Sequence, residues 1–288
     1  IHILIIPGEE LNEENQLSSV FETHQARVLS DLELQVGFIS INLKGSIYLD
    51  IKKSFKNFTF PKSNKFKFVK QKIFGINLIE VKGKYLTPSF LKLYRKEKVK
   101  AGVKAYRCYV QEFGKPDIIH AHSRFLDSAL IAKEIFKLPF VDTSRVAVWG
   151  WSGGGSATLN LMFQYPEIFK TGISIAGVAS QLTYDNIYQE RYMGLPQEDK
   201  SVFINGSPIT YAKNLKGNLL YIHGTGDDNV HYQNAELLIN ELIKNGKQFS
   251  LMSYPNRTHS ISEGEGTVEH LSALYTRYLR QNCPPGAK

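Results

Sequence analysis

The segment VAVWGWSGGGS at residues 146–156 constrains the fold of this chain more than any other part of its sequence. A short apolar run leads directly into the pattern G-x-S-x-G, with Ser152 at its centre, and a helix-forming stretch follows. Small residues two before and two after the serine permit a sharp strand-to-helix turn, which lifts the hydroxyl to the carboxyl edge of a sheet. The amide of Gly153, at the start of that helix, would be placed to stabilise an oxyanion. A glycine-rich turn that binds a phosphate, or nothing, at its helix N-terminus is the alternative interpretation.

Short apolar runs alternate with amphipathic helical patterns along the whole chain. Such alternation is typical of parallel sheets that are covered by helices. We therefore predict an α/β fold with a doubly wound, mostly parallel sheet, in which an α/β-hydrolase-like C-terminal half is joined to a Rossmann-like N-terminal half. The stretch from Lys52 to Lys72, in which Lys and Phe alternate, is either the edge strand of a sheet or a mobile basic loop.

The charge of the chain is distributed unevenly. The chain carries 35 basic and 27 acidic residues, a formal net charge of +8. Residues 1–140 hold 23 basic and 14 acidic residues, a net charge of +9, whereas residues 141–288 hold 12 and 13, a net charge of −1. The excess of positive charge is concentrated between Lys52 and Arg107, a stretch that contains 17 basic and two acidic residues. The change in net charge near residue 140 and the change in motifs predict two domains, residues 1–137 and 138–288.

The composition argues against several kinds of partner. Cys108 and Cys283 belong to no CxxC or His cluster, so we predict no metal site and no cofactor. The Lys/Phe alternation carries no RNP, helix-turn-helix or zinc-finger signature, so we expect no nucleic-acid partner. Charge runs are most often merely solvated, and contact of the Lys52–Arg107 region with an anionic membrane or an acidic glycan is the functional alternative.

A candidate acid and a candidate base follow Ser152 in the order that this type of fold requires. LLYIHGTGDDNVHYQ places Asp227 just beyond an apolar strand, and FSLMSYPNRTHS places His259 in the loop after the next one. Because neighbouring parallel strands present their carboxyl ends at one edge, His259 would take the Ser152 proton and Asp227 would fix its tautomer. Asp228 is the rival of Asp227 as the candidate acid. His223 and His231 are predicted to be structural.

These residues resemble the prolyl oligopeptidase and dipeptidyl-peptidase IV group of serine peptidases. The resemblance covers about residues 138–284 and lies in VDTSRVAVWGWSGGG, IYQERYMGLP, YIHGTGDDNVHYQ and NRTHS. It implies that Ser152, Asp227 and His259 form a triad and that Gly153 supplies an oxyanion amide. It also implies a set of substrate-binding residues: Trp151, Tyr188, Tyr192 and Asn229.

The two tyrosines of IYQERYMGLP match the aromatic walls of the pocket that takes proline in that group. Two rings beside a small apolar slot suit a pyrrolidine ring, which gains from apolar burial and loses nothing by lacking an N–H. Without the resemblance, ordinary packing of Tyr188 and Tyr192 between helix and sheet is the better interpretation.

The resemblance begins immediately before the strand that leads to Ser152. The family's earlier hydrolase strands, its second oxyanion donor (a tyrosine) and its β-propeller with paired glutamates therefore lie outside the match. One hypothesis places both halves in a single continuous sheet, with the helix SRFLDSALIAKEIFK as the crossover from PDIIHAH to RVAVWG. It predicts the strand order 3-2-1-4 in the first half, continued by four hydrolase strands.

Residues 1–137 resemble another family, the N-terminal Rossmann-like domain of GT-B glycosyltransferases of the family-4 type. The resemblance rests on FETHQARVLSDLELQVGFISI and KPDIIHAHSRFLDSALIAKEI, and it makes His122 a candidate glycan-site residue. Ser18, Ser19 and Val20 stand where that family usually has glycine before its first helix, which disfavours close approach of a phosphate. The second domain of that family, which carries most nucleotide-sugar contacts, has no counterpart in this sequence.

Taken together, the residues predict a serine-type peptidase that cleaves peptide substrates after proline or a small residue through an acyl-enzyme. Two alternatives stay open. One is glycan or nucleotide-sugar binding by the N-terminal half, and the other is a non-catalytic fused or truncated module. A peptidase role favours a periplasmic or secreted location, whereas a glycosyltransferase-like role favours the cytoplasm, and the sequence indicates no oligomeric state.

Overall fold

A computed structural model of the chain describes residues 1–8, 11, 20–46, 66–85, 93–122, 127–139 and 141–284. The chain divides into two compact units between Val141 and Asp142, close to the position at which its charge and motifs change. None of the described helices is long and apolar enough to cross a membrane.

The first unit is built on a five-stranded sheet. Strands β1 to β5 comprise His2–Ile6, Gln35–Ser46, Lys67–Ile73, Ile76–Tyr85 and Ile118–Ala121. Helices α1 to α3 comprise Val20–Asp31, Leu93–Phe113 and Asp127–Ile135. The strand order is β3-β4-β2-β1-β5, in which β3 is antiparallel to β4 and the other pairs are parallel. The four parallel strands therefore follow the order 3-2-1-4, and this prediction is confirmed.

Different helices bury the two faces of this sheet. Helix α1 packs on one face, where Ala26 shares a core with Ile3 of β1. Helices α2 and α3 pack on the other face, where Tyr109 and Ile131 share a core with Leu4 of β1. Successive residues of β1 thus point to opposite faces, both of them apolar, which explains why the strand reads as a continuous apolar run. The doubly wound arrangement is confirmed for this unit.

A hairpin forms the basic edge of the first sheet. Phe74 and Gly75 join β3 to β4, and their φ angles of 51° and 79° are the left-handed values of a tight hairpin turn. The lysines of β3 are exposed, and charges on an edge strand disfavour pairing with another chain. The edge-strand interpretation is thus confirmed for residues 67–72, whereas residues 52–65 lie outside the described part of the chain. Contact of this region with an anionic membrane or a glycan stays a prediction.

The second unit is built on a four-stranded parallel sheet with the order β6-β7-β8-β9. The strands comprise Ala147–Trp151, Thr171–Ile175, Asn218–Gly224 and Ser250–Tyr254. Helices α4 to α8 comprise Gly153–Gln164, Asn186–Met193, Lys200–Gly206, Gln233–Lys244 and Thr267–Asn282.

The second sheet is covered on both faces as well. Phe163 of α4 and Leu238 of α7 share one core with Tyr221 of β8. Leu271 of α8 shares the other core with Ile222, the next residue of β8. All four strands run in the same direction, so their carboxyl ends lie at one edge, where loops can bring distant residues together. The predicted α/β fold is confirmed.

The hypothesis of one continuous sheet is wrong. The described strands form two sheets, and no strand of one is hydrogen-bonded to a strand of the other. Helix α3 was predicted to be the crossover helix. Ile131 and Ile135 of α3 are buried in the core of the first unit, and Ile131 lies so close to Gly102 of α2 that a Cβ at Gly102 would be 2.5 Å from it. Helix α3 therefore packs on the first sheet as a crossover helix would, but among the described strands the next one, β6, belongs to the other sheet.

Candidate active site

Ser152 lies at the sharp turn between β6 and α4. Its φ of 57° and ψ of −120° are rare for a residue with a side chain, and such a conformation costs about 1–3 kcal/mol. The surrounding structure holds it in place, because the Ser152 amide donates a hydrogen bond of 2.8 Å to the carbonyl of Ile175 at the end of β7. A strained serine between a strand and a helix is the geometry expected of a nucleophile elbow.

The glycines around Ser152 are not equally necessary. A Cβ at Gly150 would lie 2.3 Å from the backbone of Gly154, and one at Gly155 would lie 2.7 Å from the carbonyl oxygen of Ile175. A Cβ at Gly154, in contrast, would meet no atom of the described residues within 4 Å. The expectation that the turn needs small residues on both sides of the serine therefore holds for Gly150 and fails for Gly154. The close approach after the serine is at Gly155, which the pattern G-x-S-x-G does not include.

Asp227 lies in the loop after β8, and its side chain is completely buried. The amides of Asn229 and Val230 donate to its Oδ1 at 3.0 and 2.8 Å. Its Oδ2 lies 2.9 Å from Nδ1 of His259 and 3.2 Å from Nε2 of His223. Asp228, the predicted rival, is exposed to solvent.

These contacts determine the charge of Asp227. Burial favours the neutral acid, but hydrogen bonds from His223, His259 and the amides of Asn229 and Val230 outweigh it and lower the pKa of Asp227 to about 2. The group is therefore an anion near neutral pH, although water does not reach it.

His259 lies in the loop after β9, and its tautomer follows from its partner. An ionised carboxylate can only accept, so Nδ1 of His259 carries the proton, and Nε2 of the neutral ring is left as an acceptor. The indole Nε1 of Trp151 donates a hydrogen bond of 2.9 Å to the carbonyl of His259. The last residue of β6, directly before Ser152, is therefore bound to the loop that carries the histidine.

A close backbone approach joins the Asp227 loop to the His259 loop. A Cβ at Gly224 would lie 2.2 Å from the carbonyl oxygen of Arg257, and the amide of Gly226 donates to that same oxygen at 3.1 Å. Glycine at the end of β8 thus lets the two loops lie side by side. Gly224 is not among the residues predicted for the site, although its position between an apolar strand and an acidic loop is a usable signal.

Three tyrosines form a row of rings beside the Asp227 loop. The ring centroids of Tyr184 and Tyr188 are 5.7 Å apart, and those of Tyr188 and Tyr192 are 5.1 Å apart. The hydroxyl of Tyr184 donates to Oδ1 of Asn229 at 2.7 Å, which ties the row to the loop of Asp227. Tyr188 and Tyr192 are 55% and 68% exposed, so the interpretation that they pack between helix and sheet is wrong. Tyr184 is not among the residues predicted for the site.

His122, the candidate glycan-site residue, belongs to the first unit and is not among the side chains that the second unit brings together. It follows β5, where its Nε2 lies 3.0 Å from Oε1 of Gln25 and its ring lies 4.3 Å from that of His120. Burial, together with the neighbouring His122, lowers the pKa of His120 to about 4. Within the described residues no cluster of three or more His, Cys, Asp or Glu side chains could hold a metal ion.

The fold and the site define a class of protein, an α/β hydrolase with a serine at a nucleophile elbow and a histidine paired with a buried aspartate. A model of the prolyl oligopeptidase family, a family of serine peptidases, matches residues 120–283. The match covers more than half of the chain, and the chain belongs to this family.

Known proteins show how far the similarity extends. Dipeptidyl peptidase 4 of Felis catus is 36% identical over 173 residues, which are 57% of this chain and 22% of that protein. Dipeptidyl peptidase family member 1 of Caenorhabditis elegans is 43% identical over 144 residues, which are 49% of this chain and 17% of that protein. This chain thus spans about a fifth of the length of such relatives.

A solved structure extends the likeness in fold to nearly all of the chain. The crystal structure of Porphyromonas gingivalis dipeptidyl peptidase 4 matches with a TM-score of 0.53 and 24% identity, covering 98% of this chain and 31% of that one. At this identity the match shows the fold alone. None of these comparisons supports the glycosyltransferase resemblance, which stays a prediction.

The unequal glycines of the turn give a testable prediction. Gly150→Ala forces a Cβ against the backbone of Gly154, so we expect denaturant unfolding to show a loss of about 1–3 kcal/mol. Gly154→Ala is the matched control, because its Cβ meets open space inside α4 and should leave stability unchanged or raise it by about 0.5–1 kcal/mol. Equal destabilisation of the two variants would contradict this account.

The low pKa of Asp227 predicts how stability depends on pH. The unfolded chain binds this proton more tightly than the folded one, so the stabilisation is present above about pH 4 and is lost as pH falls through about 2. We expect the Asp227 carboxylate to account for a loss of about 2 kcal/mol in the free energy of unfolding between about pH 4 and pH 2. Urea unfolding of the wild type and Asp227→Asn, at pH steps from about 5 to 2, should show that the variant lacks this part of the dependence.

The exposed neighbour provides the control for this measurement. Asp228→Asn removes the same kind of charge from the same loop without touching the buried contacts. It should keep the wild-type dependence on pH. A full wild-type dependence in Asp227→Asn would show that the carboxylate is not held as described.

Proposed function

We propose that this chain hydrolyses peptide bonds as a serine peptidase, with Ser152 as nucleophile, His259 as base and Asp227 as the group that orients the base. The observation that carries the proposal is the 2.9 Å hydrogen bond between Nδ1 of His259 and the buried carboxylate of Asp227. This pair lies at the same sheet edge as the strained turn of Ser152. Membership of the prolyl oligopeptidase family supports the same class of activity.

The proposed reaction has two halves. Ser152 Oγ attacks the peptide carbonyl carbon while Nε2 of His259 takes the hydroxyl proton, and Asp227 stabilises the imidazolium that forms. The C–N bond then breaks, Nε2 returns the proton to the leaving amine, and an acyl-enzyme remains. Water next attacks the acyl carbon and gives a proton to Nε2, which passes it back to Ser152 as the acid product leaves.

The start of α4 supplies the charge stabilisation that the tetrahedral intermediate needs. The first amides of a helix have no partner within the helix, and Gly153 is the first residue of α4. Its N–H, helped by the positive end of the helix dipole, would donate to the oxyanion. A single oxyanion donor is worth about 100- to 1,000-fold in kcat, so this amide is a substantial part of the proposed catalysis.

The exposed tyrosine row supports a preference for proline or a small residue before the cleaved bond. Tyr188 and Tyr192 present aromatic surface to solvent, in the row that Tyr184 ties to Asn229, two residues after Asp227. Such rings suit an apolar pyrrolidine ring, which has no N–H to satisfy. The name of one relative, prolyl endopeptidase FAP of Mus musculus, agrees with a preference for proline.

Labelling with a fluorophosphonate probe tests the nucleophile. The probe bonds covalently to an activated serine, so the folded wild type should be labelled and Ser152→Ala should not. His259→Ala should slow labelling by at least about 1,000-fold, because the hydroxyl then lacks its base. Ser201→Ala, which changes an exposed serine of α6, should be labelled like the wild type. A folded wild type that resists the probe would favour a non-catalytic module.

Paired chromogenic substrates test the tyrosine row. We expect the wild type to cleave an Ala-Pro substrate with a higher kcat/KM than its Ala-Ala counterpart. Tyr192→Ala should reduce that ratio by about tenfold or more, because the apolar wall beside the ring is lost. Tyr165→Ala, which removes an exposed tyrosine at the end of α4, is the control and should keep the ratio. An unchanged ratio in Tyr192→Ala would assign the preference to other residues.

A further inference from the structure

A second histidine faces the carboxylate of Asp227. His223 is the penultimate residue of β8, and its side chain is completely buried. Its Nε2 lies 3.2 Å from Oδ2 of Asp227 and 2.8 Å from the carbonyl oxygen of Val230. Asp227 Oδ2 therefore lies between two imidazole rings, that of His223 on one side and that of His259 on the other.

The partners of His223 determine the proton on its Nε2. A backbone carbonyl and an ionised carboxylate can only accept hydrogen bonds, so Nε2 must carry a proton; it donates to the Val230 carbonyl at 2.8 Å and lies 3.2 Å from the carboxylate. The remaining nitrogen, Nδ1, lies 3.2 Å from the hydroxyl of Tyr221, which is also 3.2 Å from the carbonyl of Gly177. Tyr221 can donate to Nδ1 of a neutral ring or to Gly177 beside a charged one, and Nε2 keeps its proton in both cases.

The ring of His223 is enclosed by groups that restrict its orientation. The ring of Tyr232 meets it edge-on at 5.7 Å, and the hydroxyl of Tyr232 is engaged with Ser253 Oγ at 2.5 Å. The titratable groups around His223 are thus Asp227, Tyr221 and Tyr232. An imidazole buried so completely is costly unless its nitrogens are satisfied, and here both have partners.

His223 holds Asp227 in a way that the other donors do not. The amides of Asn229 and Val230 belong to the same loop as Asp227 and move with it, and His259 belongs to another loop. His223 lies in a strand whose position is set by its pairing with β7 and β9. Its bond to the Val230 carbonyl also closes the loop of residues 224–230, so one N–H both shapes the loop and faces the carboxylate.

We propose that His223 is a positioning residue that holds the Asp227 carboxylate in a fixed position relative to strand β8, so that Oδ2 meets Nδ1 of His259. His223 was predicted to be structural, and the geometry extends that role to orienting the acid. The consequence for the reaction rests on the proposed peptidase function. The proton on Nε2 and the contact with Asp227 are independent of that function, and they can be tested without measuring any activity.

The first test is nuclear magnetic resonance of the full chain with 15N-labelled histidine. Two-dimensional spectra that correlate ring nitrogens with carbon-bound protons distinguish the two tautomers. We expect His223 to carry a proton on Nε2 and His259 to carry one on Nδ1. A bare Nε2 in His223 would overturn the proposal, because that atom could then donate to neither Asp227 nor Val230. A lack of probe labelling at Ser152, in contrast, would count against the peptidase function alone.

The second test compares two substitutions of His223 by their effect on kcat and KM. Activity is expressed per probe-labelled site, so that misfolded protein does not count. His223→Leu removes the donor, and we expect kcat to fall about 10- to 100-fold with KM changed less than about twofold. His223→Gln, which retains a terminal N–H, should recover most of that loss. His231→Gln, in an exposed histidine that precedes α7, is the matched control and should behave like the wild type.

Each outcome of the comparison decides the question. A wild-type kcat in His223→Leu, or equal losses in the Leu and Gln variants, would reduce His223 to a packing residue. If His223→Leu does not fold, His223→Gln is compared with His231→Gln instead. If an N–H at this position is enough to hold Asp227, the kcat of His223→Gln should stay within a few-fold of that of His231→Gln. If neither variant folds, the wild type decides: a bare Nε2 in His223 overturns the proposal, and a protonated Nε2 beside Asp227 supports it.

Discussion

The buried carboxylate of Asp227 is the constraint on which the candidate site depends. Removing an ionised carboxylate from water costs several kcal/mol unless donors surround it. Here the donors come from three segments: strand β8 through His223, the loop of Asp227 itself, and the loop after β9 through His259. The anion is satisfied only when these segments are together. The charge that orients His259 therefore also links the folding of the sheet edge to the geometry of the site.

Strand spacing explains why loops complete the site. Neighbouring strands lie about 4.8 Å apart, so β6 and β9 are separated by about 14 Å across β7 and β8. Side chains on the strands themselves cannot cover that distance, and the loop after β9 must run back along the edge. Two contacts show that it does. The indole of Trp151 at the end of β6 reaches the carbonyl of His259, and Gly224 at the end of β8 lies against the carbonyl of Arg257.

Much of this could be predicted from the sequence because the signals are local. An apolar run followed by G-x-S-x-G indicates a strand, a turn and a helix, since those preferences belong to adjacent residues, and Ser152 lies at that turn. Whether the strands of the two halves share one sheet could not be predicted in the same way. The apolar side of α3 covers the first sheet whether or not another strand of that sheet follows, so its sequence pattern suits one sheet and two sheets equally. Likewise, Tyr184 is joined to the site by a hydrogen bond to Asn229, which is distant in sequence.

The two glycines that flank Ser152 show the limit of a motif most clearly. Gly150 and Gly154 are symmetric about the serine in the sequence, yet only Gly150 would bring a Cβ against backbone. A strand advances with side chains on alternate faces, whereas a helix turns by about 100° per residue, so symmetry in sequence does not become symmetry in space. The first turn of α4 folds back over β6, and the next glycine, Gly155, lies against the end of β7. The motif thus defines the kind of turn, while packing against the neighbouring strand decides which of its small residues the turn requires.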